Sequence, residues 1–296
     1  MPAAASPAAR LRASLAAGRM IVPSCYDALG FRMVAQAGFP AAFLSGFSVS
    51  AAKLGVPDAG LLSYGEMVAQ ARDVAASAAM PLMVDGDTGF GNAQNVQRTV
   101  RGLASAGAAC LMLEDQESPK RDFGAPGAVV SRQDALLRVK AAVRAREAVT
   151  RESGGDILII GRTDARNAAG AASGLDEALW RAQAFTDLGA DIVFVTGPQS
   201  PAELERIRAA THLPQIVQVD EPGRPALAPS LVHGLGFQVA LYGVTLVFAA
   251  AGAFRDAIAA MKGDRAVAAD RVVSPAEMSE IVGVADYLAI DRDLER

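Results

Sequence analysis

Eight short apolar runs, at residues 21–23, 41–44, 81–84, 109–113, 157–160, 192–195, 215–219 and 239–241, recur along the chain with helical patterning between them. Near-continuous apolarity over so few residues marks a strand buried on both faces, the condition of a parallel sheet covered by helices. Several of the helical stretches stop in the same way. Gln36-Ala37-Gly38, Ser105-Ala106-Gly107, Asp187-Leu188-Gly189 and Gly234-Leu235-Gly236 each precede a strand. A glycine just past a helix supplies the left-handed cap from which the chain turns directly into the sheet. Eight strand–helix units with that punctuation predict a closed (β/α)8 TIM barrel rather than an open, doubly wound sheet.

No low-complexity linker interrupts the pattern. The expected organisation is a barrel with an N-terminal helix over residues 1–263, followed by a C-terminal extension over 264–296. With 51% hydrophobic residues, a core of that size can be filled. At the N-terminus, Ser6-Pro7 reads as a helix cap with proline at the first helical position, and Leu11 and Leu15 give a helical stripe. That pattern outweighs the transit-peptide flavour of a segment holding Arg10, Arg12 and Arg19 and no acid. In the extension, Ser274-Pro275-Ala276-Glu277 reads as a capping box, with Ile281, Val284 and Leu288 forming an apolar stripe. An amphipathic helix over 275–290 needs a surface to cover, on its own barrel or on a neighbouring subunit.

The net charge is −4 and the Lys and Arg residues are dispersed, which argues against nucleic acid or an anionic membrane as partner. No apolar run reaches membrane-spanning length. Cys25 and Cys110 make neither a disulfide framework nor a CxxC pair, so a reducing, cytoplasmic location is expected.

In a parallel barrel the chemistry sits where strands end and the following loops begin. Those ends carry Ser45 and Gly46, then Asp58; Asp85 and Asp87; Glu114 and Asp115; Arg162 and Asp164; Asp220 and Glu221. Carboxylates converging on one rim repel one another unless a cation sits among them. Oxygen ligands of this kind suit Mg²⁺, with Mn²⁺ as an alternative. His212 and His233 do not fall at strand ends, which argues against a histidine-based zinc site. The competing explanation for each acid is a helix cap. Gly89-Phe90-Gly91 hints at a dinucleotide fingerprint, but Gln94 stands where the third glycine belongs.

The stretches VPSCYDAL, LSG, LGVPDAG, VDGDTGFGN, LEDQESPKR and GRTDAR resemble the isocitrate lyase / phosphoenolpyruvate mutase superfamily over nearly the whole chain. The resemblance implies an α/β barrel with bound Mg²⁺ and a small 2-oxo- or 2-hydroxy-acid substrate that reacts through an enolate. By position it implies Asp85 as the direct metal ligand, with Asp58, Asp87 and Glu114 holding the metal's waters. It implies Ser45, Gly46 and Phe47 at the substrate carboxylate, Phe47 standing where a small residue is common, with Gln218 and Arg162 also touching substrate. Asp58, Lys120, Asp122, Arg162 and Glu221 are the catalytic candidates. The family also implies a homotetramer in which the C-terminal helix is swapped between subunits.

The loop after the fourth strand departs from the lyases of the methylisocitrate type, which carry a cysteine followed by Gly-His there. Here it runs Pro119-Lys120-Arg121-Asp122-Phe123-Gly124, with Asp122 in the cysteine's place and no histidine. Three readings follow. The first is carbon–carbon cleavage of a small dicarboxylate resembling oxaloacetate or 2-methylisocitrate. Oxaloacetate decarboxylation fits best within it, because that reaction does not demand the cysteine. In this reading Asp122 is either a proton donor or a solvated partner of Lys120 or Arg121. The second is phosphorus–carbon chemistry, as a phosphonopyruvate hydrolase or phosphoenolpyruvate mutase, with Lys120 and Arg121 holding the phosphonate. The third is a non-catalytic barrel that binds a metabolite.

Overall fold

The computed structural model describes residues 5–120, 127–170, 173–220 and 227–294. Its strands are β1 (Met20–Cys25), β2 (Ala42–Leu44), β3 (Leu82–Asp85), β4 (Cys110–Glu114), β5 (Leu158–Thr163), β6 (Ile192–Val195), β7 (Gln215–Gln218) and β8 (Val239–Tyr242). All pairings are parallel, each strand bonds to the next, and β8 closes on β1 with Met20 opposite Val239. The expected barrel is the observed one.

Two apolar layers explain the near-continuous runs. Met20, Val22, Phe43, Met83, Met112, Ile160, Phe194, Ile216 and Leu241 fill the interior. Alternate residues such as Leu44, Val84, Leu111, Val193 and Val217 face the helices. The N-terminal helix α1 (Pro7–Ala17) inserts Ala8, Leu11 and Leu15 beneath the interior layer, and Ser6 Oγ caps it by accepting from Ala9 N–H at 3.1 Å.

The other helices are α2 (Ala28–Gln36), a short α3 (Gly46–Val49), α4 (Tyr64–Ser77), α5 (Ala93–Ser105), α6 (Arg132–Ser153), α7 (Leu175–Asp187), α8 (Pro201–Ala209), α9 (Pro229–Gly234), α10 (Thr245–Lys262), α11 (Pro275–Val282) and α12 (Val284–Leu294). The four glycine stops are one device used four times. Gly38, Gly107, Gly189 and Gly236 have φ of +81°, +91°, +92° and +92°. In each, the next N–H reaches back five residues, as from Ala108 to the Leu103 carbonyl at 3.0 Å. The apolar side chains at the two ends of that bond then meet.

The C-terminal extension differs from expectation. The helix read over 275–290 breaks at Gly283, a left-handed cap with φ of +75°, where a Cβ would also strike the Arg32 guanidinium. Arg32 Nε and Gln36 Nε2 donate to the Ile281 carbonyl at 2.9 and 3.1 Å, tying α11 to α2 of the same chain with Ile281 buried. Val284 and Leu288 are exposed, so the stripe does not continue on this barrel. No residue of α10 is buried, and Phe254, Ile258 and Met261 are 62–67% exposed.

Candidate active site

Strand alternation carries the interior layer one step further toward the C-terminal mouth. Two residues past Val22, Phe43, Met83, Met112, Ile160, Phe194, Ile216 and Leu241 stand Ser24, Ser45, Asp85, Glu114, Arg162, Thr196, Gln218 and Gly243. This ring is divided. The ends of β3, β4 and β5 hold its charged members, while β6 through β2 supply small or neutral ones.

The Asp85-Gly86-Asp87 turn follows from close approach. Gly86 N–H donates to the Met112 carbonyl at 2.9 Å, and a Cβ on Gly86 would strike the Leu111 side chain. Glycine there lets the end of β3 press on β4. Asp87 then takes a left-handed φ of +47°, which aspartate tolerates, and sends its carboxylate back toward the mouth. Its carbonyl accepts from Glu114 N–H at 2.9 Å, extending the β3–β4 ladder beneath the site. Asp85 is held by two N–H donors, Gly46 on Oδ2 and Asp87 on Oδ1, both at 3.1 Å.

Lys120 reaches into this cluster rather than into solvent. Its Nζ lies 2.8 Å from Asp58 Oδ2, 3.3 Å from Glu114 Oε1 and 3.5 Å from Asp87 Oδ1. Arg162 forks onto Asp164 with two bonds of 2.9 Å and places NH1 3.1 Å from Glu114 Oε2. Even so, Asp87 Oδ1 and both Glu114 carboxylate oxygens are buried without a well-formed hydrogen bond. Among the described residues, Asp58, Asp85, Asp87, Glu114 and Asp164 thus meet two cations, Lys120 and Arg162.

The imbalance appears in the acidities. Burial, with the charge of Asp58 adding to it, raises the pKa of Asp85 above the usual carboxylate range. Burial and then Asp85 raise Asp87 well above it. Burial lifts Glu114 to about 7, against the opposing pull of Arg162 and Lys120. Lys120 moves the other way: burial favours its neutral form, but Glu114, Asp87 and Asp58 outweigh that and raise its pKa. Among the described residues, Lys120 and Arg162 together therefore do not compensate the acids, and a divalent cation among these oxygens would. Among the described residues, no three His, Cys, Asp or Glu side chains stand close enough to grip an ion directly. A site of this form suits a cation that keeps most of its waters.

Apart from Arg162, the substrate-side candidates fall on the neutral arc, with Gly46 at its border with the acids. Ser45 is buried, and its Oγ accepts from Ser48 N–H at 3.3 Å as the cap of α3. Gly46 N–H is engaged by Asp85, and a Cβ on Gly46 would stand 3.0 Å from that carboxylate. Phe47 is 38% exposed and stacks on Phe248 of α10 with centroids 5.8 Å apart and planes 11° from parallel. Gln218 ends β7 and packs against Gly243, whose missing side chain leaves it room. Asp122 and Glu221, together with Arg121, lie outside the described residues.

Sequence reasoning passed over Ser24, Thr196, Phe248 and Arg181. Counting two residues on from each interior apolar position would have found the first two. Arg181 had a weaker signal, an arginine on the stripe of Ala178, Ala182 and Phe185 that α7 buries. The glycines hinting at a nucleotide loop have a packing role instead. Cβ atoms on Gly89 and Gly91 would strike Val96 and Asn95, and Asn92 caps α5 by accepting from Gln94 and Asn95 N–H. Cys25 is a buried thiol pushed up by desolvation, and Trp180 is half-covered by Arg132, 3.9 Å above its ring.

Comparison with known proteins agrees with this geometry. The family model described as phosphoenolpyruvate phosphomutase matches residues 11–262. The 2,3-dimethylmalate lyase of Eubacterium barkeri is 36% identical over 97% of both chains. An oxaloacetate decarboxylase of Bradyrhizobium diazoefficiens is 36% identical over 92% of this chain and 91% of its own. Among solved structures, oxaloacetate acetylhydrolase with the inhibitor 3,3-difluorooxalacetate superposes with a TM-score of 0.89 at 28% identity, covering 98% of this chain and 97% of that one. Phosphonopyruvate hydrolase with oxalate and Mg²⁺ superposes at 0.85 and 28% identity, over 99% and 100%. The chain belongs to the phosphoenolpyruvate phosphomutase family and is a lyase of the PEP mutase/isocitrate lyase superfamily.

Proposed function

We propose that this protein is a Mg²⁺-dependent carbon–carbon lyase of small 2-oxo or 2-hydroxy dicarboxylates, with oxaloacetate decarboxylation as its best-supported reaction. The observation that carries this is the division of the mouth. Uncompensated carboxylates on β3 and β4 suit a divalent ion, and Arg162 beside them suits the substrate's negative charge. When bound, the ion would be held directly by Asp85, with Asp58, Asp87 and Glu114 on its waters, and would stabilise the negative charge of an enolate.

The neutral arc supports decarboxylation over cleavage of a hydroxy diacid. In decarboxylation the bond to the terminal carboxylate breaks, carbon dioxide leaves as a neutral molecule, and the electron pair stays on the enolate, which takes a proton from solvent at its methylene carbon to become pyruvate. Cleavage of a hydroxy diacid instead releases a carbanion that must be protonated at the far side. There the described residues Thr196, Gln218, Gly243 and Ser24 are neutral, and the candidate acids Asp122 and Glu221 lie outside the described residues. Lys120, whose ammonium form Glu114, Asp87 and Asp58 favour, would add positive charge beside the enolate. Ser45, Gly46 and Phe47 would orient the other carboxylate.

A panel of oxaloacetate, 2,3-dimethylmalate, 2-methylisocitrate and phosphonopyruvate with Mg²⁺ tests the reading. Pyruvate from oxaloacetate is expected as the fastest product. Phosphate from phosphonopyruvate, oxalate and acetate from oxaloacetate, or no turnover of any substrate would contradict it.

The apolar and exposed α10, with α12 beyond it, supports assembly as a homotetramer of helix-swapped dimers. Sedimentation at micromolar concentration should give four chains per particle. No helix among the described residues is long and apolar enough to cross a membrane. With two free buried cysteines, that accords with a cytoplasmic enzyme.

A further inference from the structure

Glu114 and Asp115 are neighbours at the end of β4, and alternation turns them opposite ways. Glu114 faces the mouth. Asp115, 1% exposed, faces the helix layer, where Arg181 NH1 of α7 donates to its Oδ2 at 3.0 Å. Arg181 is fully buried; Nε donates to Glu177 at 2.8 Å and NH2 to the Val130 carbonyl at 2.9 Å. The other Asp115 oxygen accepts from the backbone N–H of Asp164 at 2.9 Å. The Asp164 carboxylate holds the Arg162 fork and takes a further bond from Thr196 Oγ1 at 2.9 Å. One path therefore runs from the helix layer through Asp115 and Asp164 to the guanidinium beside Glu114.

Stability alone does not explain an arginine at this place. A buried pair is often matched or bettered by apolar residues of similar volume, and the neighbours of Arg181 on its helix face are Ala178, Ala182 and Phe185. What the pair adds is position: Arg181 holds one Asp115 oxygen while the other accepts the Asp164 N–H, with Thr163 also bonded to the carboxylate.

We propose that Arg181 and Asp115 are positioning residues for Arg162, acting through Asp164 to aim its guanidinium at the substrate's negative charge. The inference rests on the proposed function in giving Arg162 that charge to meet.

The test is calorimetric titration of oxalate into the Mg²⁺-loaded full-length chain. The wild type, Arg181→Met, Arg181→Lys, Arg162→Met and the Arg162→Met/Arg181→Met double variant are compared, each confirmed folded at the assay temperature. Arg181→Met is expected to weaken oxalate binding by about 10–100-fold, the usual consequence of losing a supporting partner. Arg181→Lys, which keeps the charge opposite Asp115, should weaken it by a smaller factor. In the Arg162→Met background, Arg181→Met should add less than about twofold, because the path no longer ends on the ligand. Wild-type affinity in folded Arg181→Met, or the same full loss in both backgrounds, would overturn the proposal. Should Arg181→Met not fold, wild-type affinity in Arg181→Lys would overturn it equally. Failure of the wild type itself to bind oxalate with Mg²⁺ would sink the proposed function, and this inference with it.

Discussion

Both ends of the barrel carry a charged cluster, and the two are built on opposite rules. At the N-terminal end Arg12 bonds Asp156 at 3.0 Å and Asp191 at 2.8 Å, while Arg146 bonds Asp191 at 2.6 Å. Two cations meet two acids there, and Asp191 also accepts from the Ile159 N–H at 2.9 Å, pinning β5 to the start of β6. At the mouth, among the described residues, acids outnumber cations and three buried oxygens lack a hydrogen bond. A matched cluster is what holding a fold requires. A mismatched one costs stability when empty and is set up to take up a cation and an anion together.

That contrast yields opposite outcomes for similar substitutions. The largest effect is expected from Asp85→Ala, which should lower turnover of oxaloacetate by about 10²–10³-fold, the scale of losing one main electrostatic contact to a reacting anion. Its melting temperature without Mg²⁺ should fall less than that of Asp191→Ala, because the loss of a repelling charge offsets the Gly46 and Asp87 N–H groups it leaves unpaired. Asp191→Ala should do the reverse, with kcat unchanged and unfolding in urea easier by about 1–3 kcal/mol, since it strands two arginines and a backbone N–H. If Asp191→Ala lost activity while fully folded, or Asp85→Ala only lost stability, the contrast would be broken.

Ligand-linked stability sharpens the comparison. Mg²⁺ at about 100 times its dissociation constant should stabilise the wild type by about 2.7 kcal/mol, read as a rise in melting temperature. That rise should persist in Asp191→Ala and vanish in Asp85→Ala. Gly86→Ala, which forces the end of β3 off Leu111 and the Met112 carbonyl, should destabilise by about 1–3 kcal/mol in urea unfolding. The smallest effect belongs to the neutral arc. Phe248→Ala removes the stack on Phe47, worth about 0.5–1.5 kcal/mol, and should appear as a shift in KM for oxaloacetate with kcat held.

The sequence shows the barrel more clearly than the mouth, for a physical reason. Strands buried on both faces are apolar throughout, so their cores stand out. Their C-terminal ends do not, because there the inward residues become functional and the apolar run stops. The runs end at 84, 113 and 160, whereas the strands continue to Asp85, Glu114 and Thr163 and carry the site on their last residues. The acids were legible as residues that repel one another at matching ends. The Arg181–Asp115 pair was not, because its partners lie 66 positions apart and meet only when α7 packs on the barrel. The break at Gly283 went unread because the apolar stripe of Ile281, Val284 and Leu288 runs through it, although a glycine there can cap a helix.

The most direct measurement is pyruvate release from oxaloacetate after chelation and after Mg²⁺ is restored, with Asp85→Ala as the blank for metal-catalysed decarboxylation in solution. The expected result is a rate that falls to the blank on chelation and returns with Mg²⁺ only in the wild type. A rate that survives chelation, or one that Asp85→Ala reproduces, would contradict the assignment of the mouth cluster as a metal-and-enolate site.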